Sequence, residues 1–237
     1  MKIKGLRKAS QRKGSEIRPA VRSGRPPKEL VGAVEQRILD AARKVFLERG
    51  FAGASIDEIA EVARSGKPTI YARFSGKEAL FKAVVMRSIA ANVAHFDSYT
   101  PTGANIEERL ESIAATVLEW ILLSDSIGLM RVAIAEAPRF PDLASSVYAM
   151  ARERGGQAVA RLLAEAAQSD EFTSLAAAFA PEQVTTTTHM FQDLVILPLA
   201  IRALFGENLK QLRAEIGPHA GRSVAIFLAA CRHGGVI

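Results

Sequence analysis

The side chains that could do covalent or metal chemistry are few and scattered: one cysteine, Cys231, and four histidines, His95, His189, His219 and His233. A lone thiol cannot close an internal disulfide, and histidines so far apart lack ligand spacing. No Gly-x-Ser-x-Gly elbow, His-Glu-x-x-His pair, dinucleotide fingerprint or phosphate loop occurs. Gly66-Lys67 is followed by Pro68 and lacks the upstream glycine that a phosphate loop needs. The sequence points away from an enzyme, and neither a metal nor a cofactor is expected. What remains is the chemistry of cations and hydroxyls. Near helix N-termini such groups suit phosphate oxygens, while exposed Lys and Arg can donate to guanine edges.

The distribution of charge supports a polyanionic partner. The net charge of +6 divides into +8 over residues 1–30, +2 over residues 31–82 and −4 over residues 83–237. Nucleic acid would gain Coulomb energy and counterion release from the basic end, and the acidic remainder would be repelled. A solvated tail with no partner is the competing reading of the same stretch. The 237 residues are 49% hydrophobic, enough to bury a substantial core. The greasiest run, Val195 to Phe205, is broken by Pro198 and Arg202, and the basic N-terminus leads into no apolar segment. A soluble protein in the cytoplasm, with no membrane partner, is expected.

These groups have to be positioned by helices. Residues 1–30 lack apolar periodicity and read as a flexible basic arm. From Val34, the residues Ile38, Ala41, Ala42, Val45 and Phe46 form one stripe of a helix that ends at Gly50. Ser55 is a suitable N-cap for a second, two-turn helix, with Glu58 placed to complete a capping box. Arg64-Ser65-Gly66 forms a tight turn into a third short helix, Lys67 to Phe74, with Pro68 in its first turn. A fourth begins near Lys77 and ends before Pro101. Further helices are predicted at about 105–123, 126–137, 142–168, 182–204 and 218–232, punctuated by prolines. No segment shows period-two alternation, so the predicted fold is all-α. Two short helices joined by a three-residue turn behind a longer helix meet the requirements of a helix-turn-helix.

Residues 55–80, S-I-D-E-I-A-E-V-A-R-S-G-K-P-T-I-Y-A-R-F-S-G-K-E-A-L, resemble the DNA-binding signature of TetR/AcrR-type bacterial regulators, and the resemblance reaches back through R-I-L-D-A-A-R-K-V-F-L-E-R-G-F at 37–51. It implies a flexible arm over 1–30, a three-helix DNA-binding domain over 31–82, and a larger helical domain over 83–237 for effector binding and dimerisation. By the family pattern, Ser55, Lys77 and the Tyr71 phenol hold phosphates. Lys67, Pro68, Thr69 and Arg73 lie on the recognition helix, and Arg25 in Gly24-Arg25-Pro26-Pro27 reaches the minor groove. Where the family usually has Gly-Val-Ser, this chain has Arg64-Ser65-Gly66 and so loses the serine N-cap of the third helix. Gly66 can still cap, at a cost of a few tenths of a kcal/mol.

Leu129 to Leu143, L-M-R-V-A-I-A-E-A-P-R-F-P-D-L, is similar to the C-terminal domain of an AefR-like subgroup. Candidates for an effector pocket are Trp120, Met130, Phe140, His189, Met190 and Phe191, although ordinary core packing competes for each. Leu194, Val195, Leu199, Val224, Phe227, Leu228 and Cys231 are the expected dimer surface. The sequence reading is a homodimeric regulator, a repressor that leaves a palindromic double-stranded operator when a small-molecule effector binds. A non-specific, architectural DNA-binding protein working through the basic arm is the alternative.

Overall fold

The computed structural model describes residues 28–97, 99–167 and 178–232, and every regular element among them is helical. The first four helices are α1 (Lys28–Gly53), α2 (Ile56–Val62), α3 (Lys67–Tyr71) and α4 (Lys77–Asp97). They are followed by α5 (Ile106–Ile121), α6 (Ser124–Ala135), α7 (Pro141–Ala167), α8 (Val184–Leu204), α9 (Leu209–Ala214) and α10 (Ile216–Arg232). The all-α reading holds. No single described helix is long and apolar enough to cross a membrane.

Several boundaries differ from the sequence reading, among them the end of α3, which closes at Tyr71 rather than Phe74 and leaves Arg73 beyond its cap. Helix α1 begins at Lys28, directly after Pro27 in the sequence and within the stretch assigned to the arm. Gly50, the expected end, adopts φ 68°, ψ 176° and swings the chain out of helical geometry just before Phe51, although one further helical stretch carries α1 on to Gly53. The six-residue α9 is absent from the sequence reading. Its cap, Asn208, accepts from the amides of Lys210 and Gln211 at 2.9 and 3.3 Å, a local signal with too short a helix behind it to show periodicity.

Two apolar cores organise the chain. The first gathers Ile38, Ala42, Val45 and Phe46 of α1 with Ile59 of α2, Ile70 of α3, and Leu80, Phe81 and Val84 of α4. It also takes in Leu129 of α6, and Phe140, Leu143 and Val147 pack against it. The second lies among α5, α7, α8 and α10 and includes Leu110, Leu118, Val159, Leu163, Phe191, Val195, Val224 and Phe227. At the junction α6 lies close on α1: a Cβ added at Gly128 would stand 2.7 Å from Leu47 Cδ2. Arg43 and Asp125 bridge the same pair at 3.1 Å.

The expected dimer surface needs correcting. Val195, Leu199, Val224, Phe227, Leu228 and Cys231 are buried within the chain's own core, and Leu194 is half-buried. The large apolar residues that α8 and α10 turn to solvent are Met190, Leu197, Ile201 and Ile226. Both helices are apolar around more than half their circumference, so periodicity alone chose the inner face. Burial also pushes the Cys231 thiol up to about 11, which makes it a packed residue rather than a reactive one.

Candidate nucleic-acid interface

The site is built by three helix starts. Ser55 sits in extended geometry and its Oγ accepts from the Glu58 amide at 3.1 Å, which caps α2. The capping box closes only on that side, because the Glu58 carboxylate accepts instead from Arg49 Nε at 3.2 Å. At the other end of α2 the Ser65 amide donates to Ala60 O and the Arg64 amide to Glu61 O, both at 3.0 Å. These two bonds make a Schellman cap whose left-handed residue is Arg64, at φ 48°. Glycine normally fills that position, and an L-residue there costs about 1–2 kcal/mol. The sequence shows the missing glycine but not the conformation that Arg64 must keep in its place.

Helix α3 has five residues. Gly66 caps it without a side-chain bond, and Pro68 occupies the first turn, where its missing N–H is harmless. Ile70 is fully buried and Phe74 nearly so, and they pin the helix to the first core. The opposite side carries Lys67, Pro68 and Tyr71 into solvent, with Thr69 half-buried beside them. Tyr71 is 54% exposed, a large apolar ring that the core leaves out.

The cations of the motif are mostly engaged within the protein. Lys67 pairs with Asp57 of α2, whose hydrogen bond and charge hold the ammonium above the ordinary lysine range. Arg73 turns back to donate to Thr69 O at 3.0 Å, while its buried Nε has no partner. Lys77 donates to the carbonyls of Phe51, Ala52 and Ala54 at 2.8, 3.3 and 2.9 Å and lies 4.6 Å above the Phe51 ring. Its ammonium therefore ties the start of α4 to the chain leaving α1. Arg25 lies outside the described residues.

The six pocket candidates do not converge. Phe140 belongs to the first core, in ring contact with Phe51 and Phe81. Phe191 is buried edge-on to Phe227 in the second core, while its neighbour Met190 is 43% exposed. Trp120 and Met130 are half-buried on α5 and α6. His189 is half-buried on α8, where its carbonyl accepts from Arg152 at 3.4 Å. Two surface grooves are lined by other residues. One of about 420 Å³ lies between α1 and α6, beside Arg43 and Asp125. Another of about 260 Å³ lies between Tyr99 and α7, beside Arg109 and Arg161.

Comparison with known proteins decides what this helix pair is. Residues 38–84 match the family described as bacterial regulatory proteins, tetR family, and residues 108–232 match the AefR-like transcriptional repressor C-terminal domain. The chain belongs to the TetR family of transcriptional regulators. TetR-family proteins are DNA-binding regulators rather than enzymes, and both parts of this TetR-family chain are accounted for. The HTH-type transcriptional activator FasR of Mycolicibacterium smegmatis is 33% identical over 121 residues, 49% of this chain and 52% of FasR. The chain thus spans about half the length of that curated relative. The crystal structure of a TetR-family transcriptional regulator from Mesorhizobium loti MAFF303099 is similar with a TM-score of 0.66 and 25% identity, covering 84% of this chain and 97% of the other. The flavonoid-responsive regulator FrrA gives 0.57 and 28% over the same shares.

Proposed function

We propose that this TetR-family protein is a cytoplasmic, homodimeric repressor that binds a palindromic operator and leaves it when a small molecule occupies the C-terminal domain. The observation that carries the reading is α3 itself. Ile70 and Phe74 anchor a five-residue helix whose Lys67, Pro68, Thr69 and Tyr71 are left on its outer side, a shape and size suited to the major groove. In this reading Ser55 and the Tyr71 phenol hold phosphates, Thr69 meets base edges together with Lys67 once Lys67 leaves Asp57, and Arg25 enters the minor groove. Arg73 and Lys77 act chiefly by fixing the chain around α3, and the start of α4 offers its amides to a phosphate.

One such helix buries little, so a dimer is required to add contacts and set the half-site spacing, roughly 34–36 Å or a multiple of it. The apolar residues left exposed on α8 and α10 are the surface proposed for pairing. The match to an AefR-like repressor domain supports repression, and FrrA, described as flavonoid-responsive, supports a small-molecule effector. Release then needs only differential affinity: an effector that weakens operator binding is itself bound more weakly, by the same factor, on the DNA complex. A non-specific architectural role would leave the second core and its exposed apolar faces without a purpose.

Thr69→Ala and Tyr71→Phe test the assignment. Both are expected to weaken operator binding with helicity and oligomeric state intact, and unchanged operator affinity in both variants would overturn it.

A further inference from the structure

Arg64 is the non-glycine residue with positive φ among the described residues, and it stands inside the helix-turn-helix. Its backbone has no freedom to relax, because its own amide and that of Ser65 both close the cap on α2. Glycine would hold the same cap without strain. A strained conformation at a functional motif calls for something that the side chain contributes.

The surroundings suggest what that is. Helix α2 carries Asp57, Glu58 and Glu61 and no basic residue, an unfavourable face for a phosphate backbone. Lys67 is paired with Asp57, Arg73 is folded onto Thr69 O, and the Lys77 ammonium is occupied by three carbonyls. The Arg64 side chain, by contrast, is exposed, and its guanidinium has no hydrogen-bond or ion-pair partner among the described residues. It lies three residues before the first residue of α3, within about 10 Å of chain.

Resting on the reading of α3 as a recognition helix, we infer that Arg64 binds a DNA phosphate from the turn and supplies the free cation that the neighbouring basic residues do not. The guanidinium can donate two parallel hydrogen bonds to one phosphate, and the rigid cap lowers the entropy lost in doing so.

The experiment compares wild type, Arg64→Gly and Arg64→Lys on an operator duplex selected from a random pool and on an unrelated duplex across a range of NaCl concentrations. Arg64→Gly is expected to melt higher than wild type, to bind both duplexes more weakly by a similar factor, and to show a log–log salt slope shallower by about 0.9 per protomer. Arg64→Lys is expected to keep the wild-type slope. A folded Arg64→Gly protein with wild-type affinity and slope on both duplexes overturns the inference. Loss confined to the operator at an unchanged slope overturns it too, by making Arg64 a base reader. If wild type does not prefer the operator over the unrelated duplex, the recognition-helix reading fails, while the slope on the unrelated duplex still decides Arg64.

Discussion

Phe140, the residue before α7, stands edge-on to Phe51 at the end of α1, with ring centroids 5.1 Å apart and planes at 80°. Arg139 beside it lies 5.0 Å from the same Phe51 ring and bridges Glu78 at 3.1 Å. The connection between α6 and α7 is thus part of the wall of the DNA-binding core, and any movement of α6 or α7 is felt there. Phe140→Ala should cost about 2–3 kcal/mol, at or below the low end for buried aromatics because the ring is only half-buried. Urea unfolding checks this; a loss below about 0.5 kcal/mol, the level of ordinary surface substitutions, would show that the contact is incidental.

Lys77 separates a structural role from a DNA-contacting one. Replacing it with Met keeps most of the stem but leaves three carbonyls without their donor. The expected loss is about 2 kcal/mol of stability, the scale of hydrogen bonds to a charged group. Denaturation of Lys77→Met without DNA is the measurement. Wild-type stability with weakened DNA binding would return Lys77 to the set of phosphate contacts.

Ile201 and Leu197 lie 48% and 50% exposed on α8, and Ile226 is 59% exposed on α10, which packs against α8. A charge at Ile201 would be left unpaired in an apolar interface. Light scattering of Ile201→Glu is expected to show a monomer that keeps its helicity, and a persistent dimer would place the interface elsewhere.

Acid should weaken the protein through its arginine-paired carboxylates. The hydrogen bond from Arg152 holds Asp193 below its ordinary range, and Arg202 does the same to Glu207 and Glu215. A depressed folded-state value contributes stability above the unfolded pKa, near 4, that is lost as pH falls through the folded value. Asp193 is 43% exposed, so its share is under about 1 kcal/mol. Thermal melts from pH 5 to pH 2 should show a shallower decline for Asp193→Asn than for wild type; parallel curves would contradict the pairing.

What could be read from the sequence was what is local. Ser55, Gly50 and Pro68 mark helix ends through groups within three residues, and each acts where expected. Ile70 and Phe74 are core, as the short apolar period of α3 required. Lys77 was opaque because its partners lie 23 to 26 residues back along the chain. Phe140 was opaque for the same reason on a larger scale, since its ring partners Phe51 and Phe81 lie still farther back along the chain, beyond α5 and α6. Arg64 was visible as a departure from the family pattern, yet its left-handed backbone depends on the two cap bonds that form with α2.

The central claim is sequence-specific binding by a dimer, and selection of bound duplexes from a random pool at about 0.15 M salt tests it most directly, since non-specific attraction is largely screened there. Recovery of a palindrome is the expected result. Recovery of bound DNA with no consensus would contradict the account and leave the basic arm as the DNA-binding element.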